Sequence, residues 1–151
     1  AMIEKYCDNK IPQVAKDNEL AQSLTQTVKT ADDAICALDF QGGINAIMDF
    51  CKQVNGYVTI KQPWVVAKDA ANKAQLDEIL YNTAESLRAL AVLLHPVMPE
   101  VTEKLWQSLG AASLGKIGDQ QIGNVSKWGQ LPAGSKVVKT EVLFPRLEEV
   151  K

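Results

Sequence analysis

Leu76-Asp77-Glu78-Ile79-Leu80-Tyr81-Asn82-Thr83-Ala84-Glu85-Ser86-Leu87-Arg88-Ala89-Leu90-Ala91-Val92-Leu93-Leu94 is the stretch on which the reading of the fold turns. Its apolar side chains at Leu76, Ile79, Leu80, Leu87, Leu90, Ala91 and Leu94 return at steps of three and four residues, which gathers them into one stripe along a helix of about five turns. Such a stripe has to be buried, so the flanking sequence is expected to supply other helices. Downstream, His95-Pro96-Val97-Met98-Pro99 interrupts the pattern, and Pro99 suits the first turn of a short further helix through Val101, Leu105 and Trp106 to Gly110. Upstream, Asp17 or Asn18 can cap a helix carrying Leu20, Leu24, Val28, Ala31, Ile35 and Leu38 on one face. Gly42-Gly43 is expected to break or kink the chain, after which Ile44, Ile47, Met48, Cys51, Val54 and Val58 form another stripe that Pro63 ends. The proline also biases Gln62 toward an extended conformation.

The expected fold is therefore all-α, a bundle of about four helices over residues 1–110 with a mostly irregular tail over residues 111–151. Ala1-Met2-Ile3-Glu4-Lys5-Tyr6-Cys7 reads as the end of a truncated first helix, and the chain as a fragment. Beyond Gly110 the glycines Gly115, Gly118, Gly123, Gly129 and Gly134 punctuate a stretch without helical period, expected to pack on the bundle or on a missing domain and to be the least protected from hydrogen exchange. Residues Ser135 to Phe144 are compatible with one short strand.

With 151 residues, 46% of them hydrophobic, the chain supports one core that needs no disulfide or metal to stand up. Cys7, Cys36 and Cys51 are odd in number and widely spaced, which points to reduced thiols and a cytoplasmic setting. The single histidine, His95, lies far from every cysteine and beside a proline, so it reads as a capping or packing group, and neither a metal site nor a catalytic histidine pair is expected. No nucleophile elbow, phosphate-binding loop or metalloprotease motif occurs, and no apolar run is long enough to span a membrane.

The net charge of −2 argues against a nucleic-acid partner until its distribution is considered. Residues 50–76 carry Lys52, Lys61, Lys68 and Lys73 against Asp69 alone, and this central segment is where an anionic partner is expected.

Within that segment, Asn55-Gly56-Tyr57-Val58-Thr59-Ile60-Lys61-Gln62-Pro63-Trp64-Val65-Val66-Ala67-Lys68 resembles the N-x-Y-x5-P-W-x-x-x-K signature of the anticodon-binding domain of methionyl-tRNA synthetases. Leu93 to Trp106 resembles a proline-bracketed element shared more widely by class Ia synthetases, including those for leucine, isoleucine and valine. Leu143-Phe144-Pro145-Arg146-Leu147-Glu148 is similar to the ending of many bacterial methionyl enzymes.

The resemblance implies a domain that recognises the anticodon loop of methionine tRNA and is joined to the catalytic domain of the same polypeptide. It assigns Trp64, presented by the rigid Pro63, to stacking on an anticodon base, and Lys52, Lys61 and Lys68 to phosphate contacts. Asn55 and Tyr57 are compatible with either RNA contact or packing behind Pro63. Trp106 reads as core, and Trp128 as a residue that pins the tail. The family's base-reading asparagine and arginine lie on a helix before Ala1, and its ATP-binding H-x-G-H and K-M-S-K-S elements and zinc knuckle have no match, so this fragment is expected to hold no cofactor and to be inactive alone. Two other readings stay open: the same module from a leucine, isoleucine or valine enzyme, and a helical protein-interaction module without RNA, suggested by the acidic pI of 5.4.

Overall fold

A computed structural model describes residues 1–13, 18–140 and 142–145. Among them, four helices of ten or more residues build the body: α2 (Glu19–Cys36), α3 (Phe40–Lys61), α5 (Lys73–Leu94) and α6 (Pro99–Ser108). Shorter helical turns are α1 (Met2–Tyr6), α4 (Pro63–Val66) and α7 (Ile122–Val125). The all-α bundle read from the sequence is the fold, and α5 is its centre, packing against α2, α3 and α6. Buried side chains run all the way round α5, from Leu76 and Ile79 to Ala91 and Leu93, as expected of a helix with neighbours on every side.

Asn18 caps α2, its side-chain oxygen accepting from the amides of Leu20 and Ala21. Asp17, the alternative cap, lies outside the described residues. Pro99 opens α6 at its first turn, as its missing N–H allows. His95 is a packing group: its Nδ1 lies 2.8 Å from the hydroxyl of the buried Thr102, which joins the end of α5 to the start of α6. Trp106 is core, and its indole N–H donates to the carbonyl of Gly115. The three cysteines are free. Burial and the neighbouring Asp77 push the Cys7 thiol up to about 11.

Three local expectations are corrected. Gly42 and Gly43 do not break the chain but form the first turn of α3, while the turn is made by Ala37, Leu38 and Asp39, with Leu38 left-handed at φ 63°. The glycines serve close approach: a Cβ on Gly43 would stand 2.9 Å from Ile35 of α2, and one on Gly42 would collide with the capping carboxylate of Asp39. Gln62 is left-handed rather than extended, at φ 46° and ψ 61°, because its N–H closes α3 onto Val58 while its carbonyl starts α4. The strand expected in Ser135 to Phe144 is, among the described residues, one isolated antiparallel bridge between Lys136 and Lys10.

The irregular stretch after Gly110 is built of tight turns, at Ala111–Leu114, Ile117–Asp119 and α7, and it adds Ala111, Ile117, Val125 and Leu131 to the core. A buried ion pair on α5 holds it there. Glu85 and Arg88, 0% and 1% exposed, meet at 2.9 Å. Glu85 also accepts from the amides of Gly129 and Gln130 on one oxygen and Leu131 on the other, while Arg88 donates to the carbonyls of Val125 and Lys127. Trp128 lies half-buried between these anchors and packs against the core.

Because truncating one partner strands the other charge in the interior, Glu85→Ala is expected to cost about 3–5 kcal/mol in urea unfolding. The amides of Gly129, Gln130 and Leu131 are expected to exchange on the timescale of the α5 core amides. Exchange at the rate of free peptide would show that the tail opens without the bundle.

Candidate nucleic-acid interface

The end of α3 is where the predicted site residues meet. Val54 and Tyr57 face inward from its last three turns, which leaves Ile60, one step round the helix, outside the apolar stripe and 78% exposed. After the left-handed Gln62, Pro63 enters the core at the first position of α4. The one-turn helix then carries Trp64 outward, 47% exposed, with Val65 beside it and Val66 turned back against the core. Backbone bonds follow without a gap: Val65 and Val66 donate to Gln62, Ala67 to Pro63, Lys68 to Val65 and Asp69 to Val66. The carboxylate of Asp69 then caps the next turn at Ala71. The indole is thus an exposed side chain on a backbone with little freedom left.

Tyr57 secures this junction from below. It is buried, and its hydroxyl oxygen accepts from Asn82 of α5 at 3.1 Å, while the side-chain oxygen of Asn82 accepts from Asn18. Three helices are tied together by those two amides and one phenol. Burial raises the Tyr57 hydroxyl above the ordinary tyrosine range, against the lowering effect of Asn82. Tyr57 is therefore a packing group, and its support by Asn82 and Asn18 was not legible in the sequence, since polar residues on a helix normally face water.

The lysines divide. Lys61 lies over the Tyr57 ring, 5.7 Å from its centroid, and stays exposed beside the Trp64 turn. Lys68 is exposed with no ion pair among the described residues. Lys52 is held by Asp49 at 2.7 Å, both groups largely in solvent. Nine residues separate Lys52 from Lys61, which at about 100° per residue places them on opposite sides of α3 and about 13 Å apart along its axis. Asn55 is exposed and shares the Lys52 side, not the Trp64 side. So Pro63, Trp64, Lys61 and Lys68 form one group, and Lys52 and Asn55 lie apart from it. Ile60 and Val65, which the sequence reading passed over, add exposed apolar surface at the end of α3 and on α4. Ile60 could have been found by its position off the stripe of α3.

An aromatic ring exposed on a rigid turn of a helical bundle, with cations beside it, is a surface of the kind on which unpaired nucleic-acid bases stack. The comparisons with known proteins agree: residues 17–144 match the family described as the anticodon-binding domain of tRNA ligase, and the chain belongs to that family. It is 52% identical to the methionine–tRNA ligase of Streptomyces coelicolor over 99% of its own length and 29% of that protein. It is 35% identical to the Bacillus subtilis methionine–tRNA ligase over 98% of its length and 22% of that protein. Among solved structures it superposes on the free form of Mycobacterium tuberculosis methionyl-tRNA synthetase with a TM-score of 0.81 and 25% identity, covering 99% of this chain and 30% of that one. The chain thus spans less than a third of the relatives it matches. These relatives are methionine enzymes rather than those for leucine, isoleucine or valine, and the family match sets aside a protein-interaction module.

Removing the Tyr57 hydroxyl leaves the buried Asn82 amide short of an acceptor, so Tyr57→Phe is expected to destabilise the chain by about 1–3 kcal/mol. Iodide quenching of the exposed Trp64 should stay as in the parent; a large change would mean that Tyr57 does more than hold the junction.

Proposed function

We propose that this domain grips the anticodon loop of methionine tRNA for a methionine–tRNA ligase, with Trp64 stacking on a splayed anticodon base. The observation that carries the reading is a half-exposed indole fixed between the buried Pro63 and the core-facing Val66 in a chain of the anticodon-binding family. A large apolar ring left in water is a cost to the fold alone, and it becomes useful when a base covers it. Such stacking contributes roughly 1–3 kcal/mol per base. Ile60 and Val65 extend the apolar platform, while Lys61 and Lys68 meet the phosphates on either side. Lys52 and Asn55, on the far side of α3, belong to the approach of the RNA rather than to the stacked base.

The ATP-dependent joining of methionine to tRNA falls to a catalytic domain of the same polypeptide, working in the cytoplasm. The bundle's share is orientation: an anticodon loop fixed on a rigid body fixes where the acceptor end lies, which is how a distant contact raises the effective concentration of reacting groups.

Addition of an anticodon stem-loop at low salt is expected to quench tryptophan fluorescence in the parent chain, since Trp106 is buried and Trp128 largely covered. Trp64→Ala should abolish that change and weaken binding by about tenfold to a hundredfold, with a melting temperature close to the parent's. A core tryptophan would behave oppositely, and a melt collapsing by many degrees with unchanged RNA affinity would sink the stacking role.

A further inference from the structure

Away from Trp64, the isolated bridge between the start of the chain and its tail places two lysines face to face. The amide of Ile11 donates to Ser135 and that of Val137 to Asn9, so Lys10 and Lys136 occupy the non-hydrogen-bonded position of an antiparallel pair. In that geometry the Cα atoms stand about 4.5 Å apart and the side chains leave on the same face. Both lysines are exposed, and neither makes an ion pair among the described residues. Like charges at directly opposed positions destabilise a pair, so nothing in the folding of the isolated chain favours lysine at both.

The backbone around them is nevertheless closely determined. Lys10 follows a turn in which Asp8 and Asn9 are both left-handed, at φ 49° and 59°, closed by the Lys10 amide on the Cys7 carbonyl at 2.8 Å. That is the hairpin-type turn that asparagine and aspartate tolerate. On the other side the end of α6 presses on Lys136: a Cβ on Gly110 would lie 2.5 Å from the Lys136 carbonyl oxygen, which together with its φ of 69° requires glycine there. Ser108 brackets Val138, two residues on, its carbonyl accepting from the Val138 amide and its hydroxyl donating to the Val138 carbonyl at 2.7 Å. The carboxylate of Asp77, which accepts from the Cys7 thiol, is already engaged by Lys73. The fold therefore holds side by side, on a stiff support, two ammonium groups that no acid among the described residues neutralises.

We infer that Lys10 and Lys136 form a clamp for the phosphate backbone of the bound RNA, a second contact separate from the Trp64 turn. The inference rests on the RNA-binding reading above. Two ammonium groups converging from one face suit a single phosphodiester or two successive ones, because an anion between them turns their mutual repulsion into attraction to a shared partner. Being point charges without planar hydrogen-bond geometry, they would position the strand without reading its sequence.

The test uses the 151-residue chain and a labelled methionine-tRNA anticodon stem-loop, with affinity followed by fluorescence anisotropy across a series of potassium chloride concentrations. In Lys10→Ala/Lys136→Ala the dependence of log affinity on log salt should flatten by about 2, with low-salt binding about tenfold weaker. The melting temperature should hold or rise, since a repulsive pair has been removed. Lys10→Arg/Lys136→Arg should keep the parental slope, and Trp64→Ala should weaken binding while leaving the slope unchanged. Should the alanine pair perturb the circular dichroism spectrum, Lys10→Gln/Lys136→Gln, which keeps the aliphatic stems, decides by the same slope. A charge-removed variant that keeps the parent's slope and affinity overturns the clamp and leaves the RNA reading standing. A parent chain that binds no stem-loop at low salt overturns both.

Discussion

The carboxylate of Glu85 accepts four N–H groups in the interior of the domain, from Arg88, Gly129, Gln130 and Leu131, and the rest of the structure is arranged around keeping all four. A buried ion pair by itself is a poor source of stability, because desolvating both ions costs about what their attraction returns. The balance changes when the remaining lone pairs and protons are used. Here the spare carboxylate capacity takes up three backbone amides of a loop that has no secondary structure to satisfy them, and Arg88 serves the carbonyls of Val125 and Lys127 from the same loop. The irregular tail can be buried only because α5 carries this pair, and the pair can be buried only because the tail brings its backbone.

From that mutual requirement the positions of more distant parts follow. Once residues 125–131 are fixed, the chain runs on through the Gly134 turn to meet Asn9 and Ile11, which ties the start of the chain to its tail and both to the end of α6. The Asn18–Asn82–Tyr57 network performs the matching task one turn before Glu85, by joining α2 and α3 to α5. Two satisfied polar networks on successive turns of one central helix define its register more sharply than apolar packing would, because an apolar contact can slide by a fraction of an ångström and a buried hydrogen bond cannot. The Trp64 turn inherits this stiffness through Pro63 and Tyr57. A ring that must sit in water waiting for a base gains from a support that cannot fold it inward.

What could be read from the sequence was whatever depends on neighbours along the chain. Not every residue of the apolar stripes is buried: Leu38 lies past the end of α2 and is 75% exposed, and Ile44 and Met48 of α3 are 37% and 41% exposed. The helices α2, α3 and α5, the stop at Pro63 and the start at Pro99 are nevertheless local properties, and each is found. The exposed indole and its proline were legible for the same reason, with the family resemblance adding the role that chemistry alone left open. What escaped depends on approach between distant segments. Glu85 and Arg88 look like an ordinary surface pair one turn apart, and only the arrival of Gly129 to Leu131 forty residues later makes them internal. Gly42-Gly43 was misread as a break because a glycine needed for contact with Ile35 and one needed for a capping carboxylate look alike in one dimension. That Lys52 and Lys61 stand on opposite sides of α3 is a simpler point: residues close in sequence on a helix can face opposite ways.

The acidic balance of the chain, at first an argument against RNA, turns out to bear little on it. Surface potentials act over about a Debye length, roughly 8 Å at physiological salt, so a partner meets the charges of one face and not their sum. On this chain several acids are already committed locally, Asp33 to Lys29, Asp49 to Lys52 and Asp77 to Lys73, and those three pairs present no net charge to an approaching phosphate. Lys61 and Lys68, and again Lys10 and Lys136, have no ion pair among the described residues, and these are the lysines an RNA backbone would meet at full strength. On the proposed function, an anionic strand drawn to those cations would take one seating rather than the many that a uniformly basic domain would allow, and the indole, which any base can cover, would add affinity to that seating and not base choice.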